Sequence, residues 1–440
     1  MSLSSTALEC DLSLRVVENF ACTGCGCVCD DLRLTVSGDR IVRAENACAL
    51  SDPWLLGQNA EFPPAAEIEG RPVRREEAIA RAAGILRNAL NPLIYGLSRS
   101  NTDGQRAAVA LAESLGATID TSASLCHAPS LMALQQVGMV TCTLGEVRNR
   151  ADLVIFWGSD PVSTHPRHWE RYSVEPAGRF IPDGRENRFV VVVDTVRTAS
   201  AEAADLFIPI APGHHFEALH VLRALVRGSL PEACDCDEAS VLQMAELASR
   251  MKASRCGAIF FGVALAQGDS GHCNVQALLQ LVTDLNDCSR WYAMAMRVQG
   301  NVVGADSVLL WQTGYPFAVN MARGYPRYNP GEFSVQGLLE RGEADACLIV
   351  ASETLNWLSP QAIDHIRQIP TVILDPPGVV SAVPPTVQFR TATPGIHLDG
   401  TAYRMDGVPV PLRAVLPTRY PTDQEVLANI QNSETVSLAR

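Results

Sequence analysis

ADLVIFWGSDPVSTHPRH, residues 151–168, carries an apolar run, Leu153–Trp157, of the length of one buried strand, and the run gives way at once to a polar loop. Leu93–Gly96, Val190–Asp194, Ala258–Gly262, Ala346–Ser352 and Thr371–Asp375 are built alike, each followed by a loop and a helical stretch. Glu76–Leu90 is one such stretch, with Ile79, Ala83, Leu86 and Leu90 on one helix face. Near-continuous apolar strands alternating with helices predict an α/β fold of parallel or mixed sheets covered on both faces. Ligands in such sheets gather at the carboxyl ends of the strands, which is where the unusual polar loops of this chain fall. Upstream, Leu32, Leu34 and Val36 alternate, Ser37-Gly38-Asp39 turns, and Ile41-Val42 follows, which predicts a short hairpin. EFPPAAEIEGRP (61–72) reads as a linker by its prolines and glycine. The expected organisation is a cysteine-rich head over 1–60, a first part of the α/β core over 61–150, further α/β domains over 151–345, and a C-terminal α/β segment over 346–440 that returns to the core.

The bulk numbers exclude several classes. The net charge of −13 argues against sequence-independent nucleic-acid binding, which needs a cationic face. No run of 18 apolar residues is present, so no membrane span is expected. The start, MSLSSTALECDLSL, lacks a basic region followed by an apolar one, so no secretion signal is expected. The 14 cysteines are then expected in a reducing cytoplasm, as metal ligands, reactive thiols or buried small hydrophobes.

Five of those cysteines fall within 27 residues. Cys22, Cys25 and Cys29 form C-x2-C-x3-C, and Cys48 follows after 18 intervening residues. Three thiolates in one tight turn with a distant fourth suit a [4Fe–4S] cluster. Gly24 and Gly26 are expected to let the backbone fold close to the metal. A structural zinc is the alternative, although zinc sites usually pair two C-x2-C knuckles and only one is present. Cys27 is a spare thiol that leaves the third ligand open to a register swap.

CTGCGCVCDD (22–31), SLCHAPSLMALQQVG (124–138), TCTLGEVRNRADLVIFWGSDPVSTHPRH (141–168), TGYPFAVNMARGYPRYNPGE (313–332) and DGTAYRMDGVPV (399–410) together resemble the B subunit of formylmethanofuran dehydrogenase, in order over nearly the whole chain. A version of that family in methylotrophic and related bacteria belongs to a formyltransferase/hydrolase complex. The resemblance implies a molybdopterin-oxidoreductase fold whose C-terminal barrel domain is a separate small subunit. It also implies a molybdenum or tungsten bis-pterin guanine dinucleotide beside the cluster. The implied partners are formyl hydrolase-like, formyltransferase-like and small barrel-type subunits, and a furan-type formyl carrier.

On the matched positions, the resemblance makes Cys126 the protein ligand of the metal. His127 becomes the acid/base or hydrogen-bond partner for formate and carbon dioxide. MAMRVQGNVVG (294–304) places the active-site arginine at Arg297, whose guanidinium fork suits a carboxylate-like substrate. His165, Arg167 and His168 match residues beside the cofactor pocket, holding a loop by hydrogen bonds rather than ligating metal. Arg197 and Thr198 fall in Asp194–Thr198, where the family reads D-P-R-x-T against the pterin nucleotide; here the proline is lost and the arginine is moved one place. Pro212-Gly213-His214-His215 lacks the acid that fits a guanine edge; His214-His215 reads as a solvated loop ahead of a helix over 215–226. SRSNTDGQ (98–105) lacks the family's cysteine, LDPPGVVSAVPPTVQFR (374–390) lacks the usual acidic step, and Ala128 stands for a glycine. The departures concentrate on the dinucleotide and put its grip in question. Two readings follow: a redox subunit interconverting carbon dioxide and formate, or a redox-inactive scaffold of a formyltransferase/hydrolase complex whose chemistry lies in partner subunits. An ordinary formate dehydrogenase fits less well, because the chain leaves no room for the barrel domain.

Overall fold

The computed structural model of the chain describes residues 14–229, 238–268 and 270–433. In chain order the strands are β1 (Leu14–Phe20), β2 (Leu32–Ser37), β3 (Arg40–Glu45), β4 (Ala66–Ile68), β5 (Arg71–Pro72), β6 (Pro92–Gly96), β7 (Thr118–Thr121), β8 (Leu153–Trp157), β9 (Phe189–Asp194) and β10 (Leu206–Pro209). They continue with β11 (Cys256–Phe261), β12 (Arg290–Ala295), β13 (Val319–Asn320), β14 (Arg327–Tyr328), β15 (Ala346–Val350), β16 (Thr371–Asp375), β17 (Val387–Arg390), β18 (Gly400–Tyr403) and β19 (Pro409–Leu412).

Among the described residues, β1–β3 form an antiparallel sheet, five strands run in the order β10-β9-β8-β11-β12, and nine run β14-β13-β7-β6-β15-β16-β17-β4-β5. The five-stranded sheet is parallel throughout, and so is the stretch of the larger sheet from β7 to β17. The apolar runs are strands because both their faces are covered. Leu153, Ile155 and Trp157 pack into one core while Val154 and Phe156 pack into another on the opposite face. Ile94 and its neighbours Leu93 and Tyr95 divide in the same way across the larger sheet.

The segment expected to be a linker is structured: β4 and β5 close the far edge of the nine-stranded sheet, where β4 pairs antiparallel with β17. Its prolines sit at the margins, Pro63 and Pro64 before β4 and Pro72 at the edge strand, where a missing N–H costs no ladder bond. The five-stranded sheet is drawn from 153–295, whereas β13 pairs with β7, so residues 151–345 contribute to both sheets. Residues 346–390 return to the nine-stranded sheet, inserting β15 beside β6. No helix among the described residues is long and apolar enough to cross a membrane.

Candidate functional site

The segments that follow the carboxyl ends of β7 and β12 meet. β7 ends at Thr121, a short turn follows over Ser122–Leu125, and Cys126 then leads into the helix Ala128–Val137. Opposite, β12 ends at Ala295 and is followed by Met296 and Arg297. Cys126, His127 and Arg297 are all buried. His127 Nε2 lies 3.2 Å from the Met296 carbonyl oxygen, which only accepts, so Nε2 carries the proton. Nδ1, 3.0 Å from Ser130 Oγ, then accepts from that hydroxyl. Burial, reinforced by Arg297, pushes the His127 imidazole down to about 3, so it is neutral at physiological pH. Burial pushes the Cys126 thiol up to about 11 against the favourable charge of Arg297. Arg297 is ion-paired to Asp306, which also accepts from Thr121 Oγ1 at 2.8 Å.

His165 and His168 come from the loop after β8. His165 Nε2 donates to the Arg297 carbonyl oxygen at 2.9 Å, and His168 Nδ1 lies 3.1 Å from Ser173 Oγ. His165 thus holds backbone, whereas the His168 ring bonds only to that hydroxyl and leaves its Nε2 without a partner among the described residues.

The cysteine loop lies directly on the Arg297 segment. Gly26 N donates to Val298 O at 3.2 Å, and Met405 N, from the β18–β19 hairpin, donates to Gly26 O at 2.8 Å. Cys22 N to Cys29 O, 2.8 Å, closes the loop on itself. Cys22, Cys25, Cys29 and Cys48 line one cavity of about 170 Å³. Cys27 is buried and does not line it; its thiol bonds to Cys25 and Cys29 instead. Those bonds, Cys27 first and then the nearby His165 and Arg99 charges, hold the Cys25 thiol down at about 6 despite burial. Burial pushes Cys22 up to about 12. No group of three or more such side chains converges on a single-ion site among the described residues. Four thiols lining one cavity are a donor set that could hold a polynuclear iron–sulfur cluster. A Cβ on Gly24 would make ordinary contact with Cys22 Sγ, to which the Gly24 N–H also donates at 3.4 Å, whereas one on Gly26 would collide with the Arg297 carbonyl.

Arg167 pairs with Asp31, and Arg171 bonds Asp30 at 2.7 Å, which pins the end of the cysteine loop. Arg99 escaped the sequence reading. It follows β6, donates from Nη1 to Thr23 O (2.8 Å) and Gly24 O (2.9 Å), and pairs with Glu353. Arg99, Thr23 and Trp54 also line a second cavity of about 120 Å³, at the carboxyl ends of β15 and β16. Two buried acids face it, Asp375 and Asp423, whose carboxyls burial holds above their usual range. Asp423 Oδ1 and Thr393 Oγ1 have no partner among the described residues. A carboxyl oxygen and a hydroxyl left without partners suit a heterocycle that offers both donors and acceptors.

Arg197 and Thr198, expected at the pterin nucleotide, make local contacts. Arg197 is exposed and pairs with Glu202 at 2.6 Å, and Thr198 caps the helix Ala199–Ala203. His214 is exposed, but His215 is buried and accepts from Trp157 Nε1 at 3.2 Å, so only half of that pair is solvated. The helix His215–Val226 forms as expected. Asp306 was missed as well. Its one sequence signal is the single charge in the helix Val302–Thr313, where a buried charge demands a partner.

No protein-family model matches the chain. It is 39% identical over 433 residues to the B subunit of tungsten-containing formylmethanofuran dehydrogenase 2 of Methanocaldococcus jannaschii, covering 94% of this chain and 97% of that one. The counterpart of the same name from Methanococcus maripaludis is 36% identical over 423 residues, covering 94% and 98%. The B subunit of the formyltransferase/hydrolase complex of Methylorubrum extorquens is 27% identical over 299 residues, covering 66% and 75%. Among solved structures, a chain of the formyltransferase/hydrolase complex of M. extorquens in complex with methylofuran superimposes with a TM-score of 0.69 at 25% identity, over 84% of this chain and 98% of that chain. Acetylene hydratase from Pelobacter acetylenicus superimposes with a TM-score of 0.65 over 94% of this chain and 68% of its own, at 11% identity, a likeness of fold alone.

Proposed function

Because the chain belongs to the B-subunit family of formylmethanofuran dehydrogenases and has a molybdopterin-oxidoreductase-like fold, we propose that it is the redox subunit of a multisubunit one-carbon complex, interconverting carbon dioxide and formate. The observation that carries this reading is the convergence of buried Cys126, His127 and Arg297 after the ends of β7 and β12, with the cysteine loop bonded through Gly26 N to the Val298 carbonyl beside Arg297.

Cys22, Cys25, Cys29 and Cys48 would hold a [4Fe–4S] cluster, and Cys126 would ligate a tungsten or molybdenum pterin, with Arg99, Asp375, Asp423 and Thr393 holding part of the organic ligand. When bound, that pair of groups supplies two-electron chemistry at the metal and one-electron relay at the cluster. The protein supplies the rest. Burial keeps water from Cys126, His127 and Arg297, which strengthens the charge interactions among them. Arg297 offers a cation to the carboxylate of formate. His127, neutral and already engaged at both nitrogens, accepts the proton that formate releases only by letting go of Ser130. The partners follow the family: formyl hydrolase-like and formyltransferase-like subunits, a small barrel-type subunit, and a furan-type formyl carrier.

The scaffold reading is favoured by one observation, the engagement of Arg197 and Thr198 in local contacts rather than in an open nucleotide cradle. A single experiment separates the two. The complex is purified anaerobically, assayed for iron, sulfide, tungsten and molybdenum, and compared with Cys126→Ser in a redox-dye assay and a formyl-carrier assay. The redox reading expects about four irons per chain, and loss of dye reduction by formate in the variant. Equal activity of the two proteins in both assays would remove catalysis from this chain.

A further inference from the structure

Asp306 is an acid with 6% exposure on the helix Val302–Thr313, and its two oxygens serve different strands of the site. One accepts from Arg297 Nη2, and the other from Thr121 Oγ1 at 2.8 Å. Thr121 is the last residue of β7 and stands five residues before Cys126, so the carboxylate ties the arginine of one sheet to the Cys126 turn of the other. Arg297 is 4% exposed, and its Nε is buried with no hydrogen-bond partner among the described residues. The guanidinium is therefore held at Nη2, while the adjacent Nε–H on the same edge is left without a partner among the described residues.

Formate carries a charge and carbon dioxide does not. An uncompensated guanidinium in a dry pocket would hold the anion too well, favouring one side of the reaction and inviting other small anions. We propose that Asp306 is the positioning residue for Arg297: it aims the guanidinium so that Nε–H remains free for a substrate oxygen, and it offsets the charge so that a monoanion is oriented without being trapped. This rests on the redox reading above.

The test uses the assembled, anaerobically purified complex. Asp306→Asn keeps the size and one acceptor oxygen but removes the charge. Its KM for formate and its dissociation constant for azide, a linear monoanion titrated at equilibrium without turnover, are expected to fall by about tenfold, with kcat reduced. Asp306→Glu restores the charge and is expected to return azide affinity to within about twofold of wild type. A role that is only structural predicts something different: Asp306→Asn lowers thermal stability and kcat together while the formate KM and azide affinity stay put, and that result overturns the proposal. Should Asp306→Asn fail to assemble, Asp306→Glu decides: the proposal expects kcat for formate to fall, because the guanidinium is aimed from one methylene away, with azide affinity kept within about twofold of wild type, and an unchanged kcat or a larger change in azide affinity overturns it. A wild-type complex that neither oxidises formate nor binds azide sinks the underlying redox reading, and this inference with it.

Discussion

A methyl group on Gly26 would strike the carbonyl oxygen of Arg297, and one on Gly300 would strike that of Thr23. The two glycines interlock the cysteine loop with the loop after β12, and neither has a positive φ that would call for glycine on its own account. Only the missing Cβ explains them. Gly26→Ala is expected to cost about 1–3 kcal/mol by overpacking, and to push the Cys25 side of the cavity away from Arg297. The measurable outcome is a lower Tm together with iron content below that of wild type after anaerobic purification. Gly24→Ala, whose Cβ meets only Cys22 Sγ at 3.4 Å and Ser51 Cβ at 3.7 Å, serves as the control and should retain its iron. If both variants load equally, the interlock does not shape the cavity.

At the scale of elements, the local pattern was legible and the partnering was not. β8 and β16 span the very residues that their apolar runs predict, because a strand buried on both faces announces itself residue by residue. β4, β13 and β14 are only two or three residues long, and each exists because a neighbouring strand offers an edge. Ala318, just before β13, is held with φ of 49° by a bond from its N–H to Asp120 at 2.9 Å, a contact across 198 residues that no local window contains. The site divides the same way. The four cysteines, Cys126, His127 and Arg297 were readable as motifs, whereas Asp306, Arg99 and Asp423 acquire meaning only when distant elements meet. Asp423 opens the helix Asp423–Asn432, which Thr422 and Glu425 cap reciprocally and whose Val426, Leu427 and Ile430 are buried. Thr422→Ala is expected to cost about 1 kcal/mol through the lost cap. A chemical-denaturation midpoint lowered to match, with an unchanged m-value, would bear this out; no shift would mean that packing alone seats the helix.

Across the whole molecule, the buried titratable groups pull stability in opposite directions with pH. Burial pushes His168 down to about 3, where an unfolded histidine titrates near 6.5. As pH falls below 6.5 the unfolded chain takes up a proton that the native state refuses, so stability from this group is full above 6.5 and is lost on the way down through about 3. Asp120 behaves in the opposite sense. Burial lifts it from 3.8 to about 7 even though Ala318 and Val335 donate backbone N–H to it at 2.9 and 2.7 Å. Its contribution is full below 3.8 and is lost as pH rises through about 7. In the range from 4 to 6.5 the two slopes oppose each other, each limited to about 1.4 kcal/mol per pH unit, so the wild-type curve alone hides both. Substitution separates them. His168 stands edge-on to Phe260 at 4.4 Å between ring centroids, in a slot that His168→Phe can fill without a titrating group. Relative to wild type, that variant should gain stability steadily as pH drops from 6.5 to 4. Asp120→Asn should do the reverse, gaining on wild type as pH rises from 4 to 7, whatever constant penalty its lost acceptor imposes. Thermal unfolding at each pH reads both differences directly, and a variant whose curve runs parallel to wild type would show that the group in question does not titrate as its burial demands.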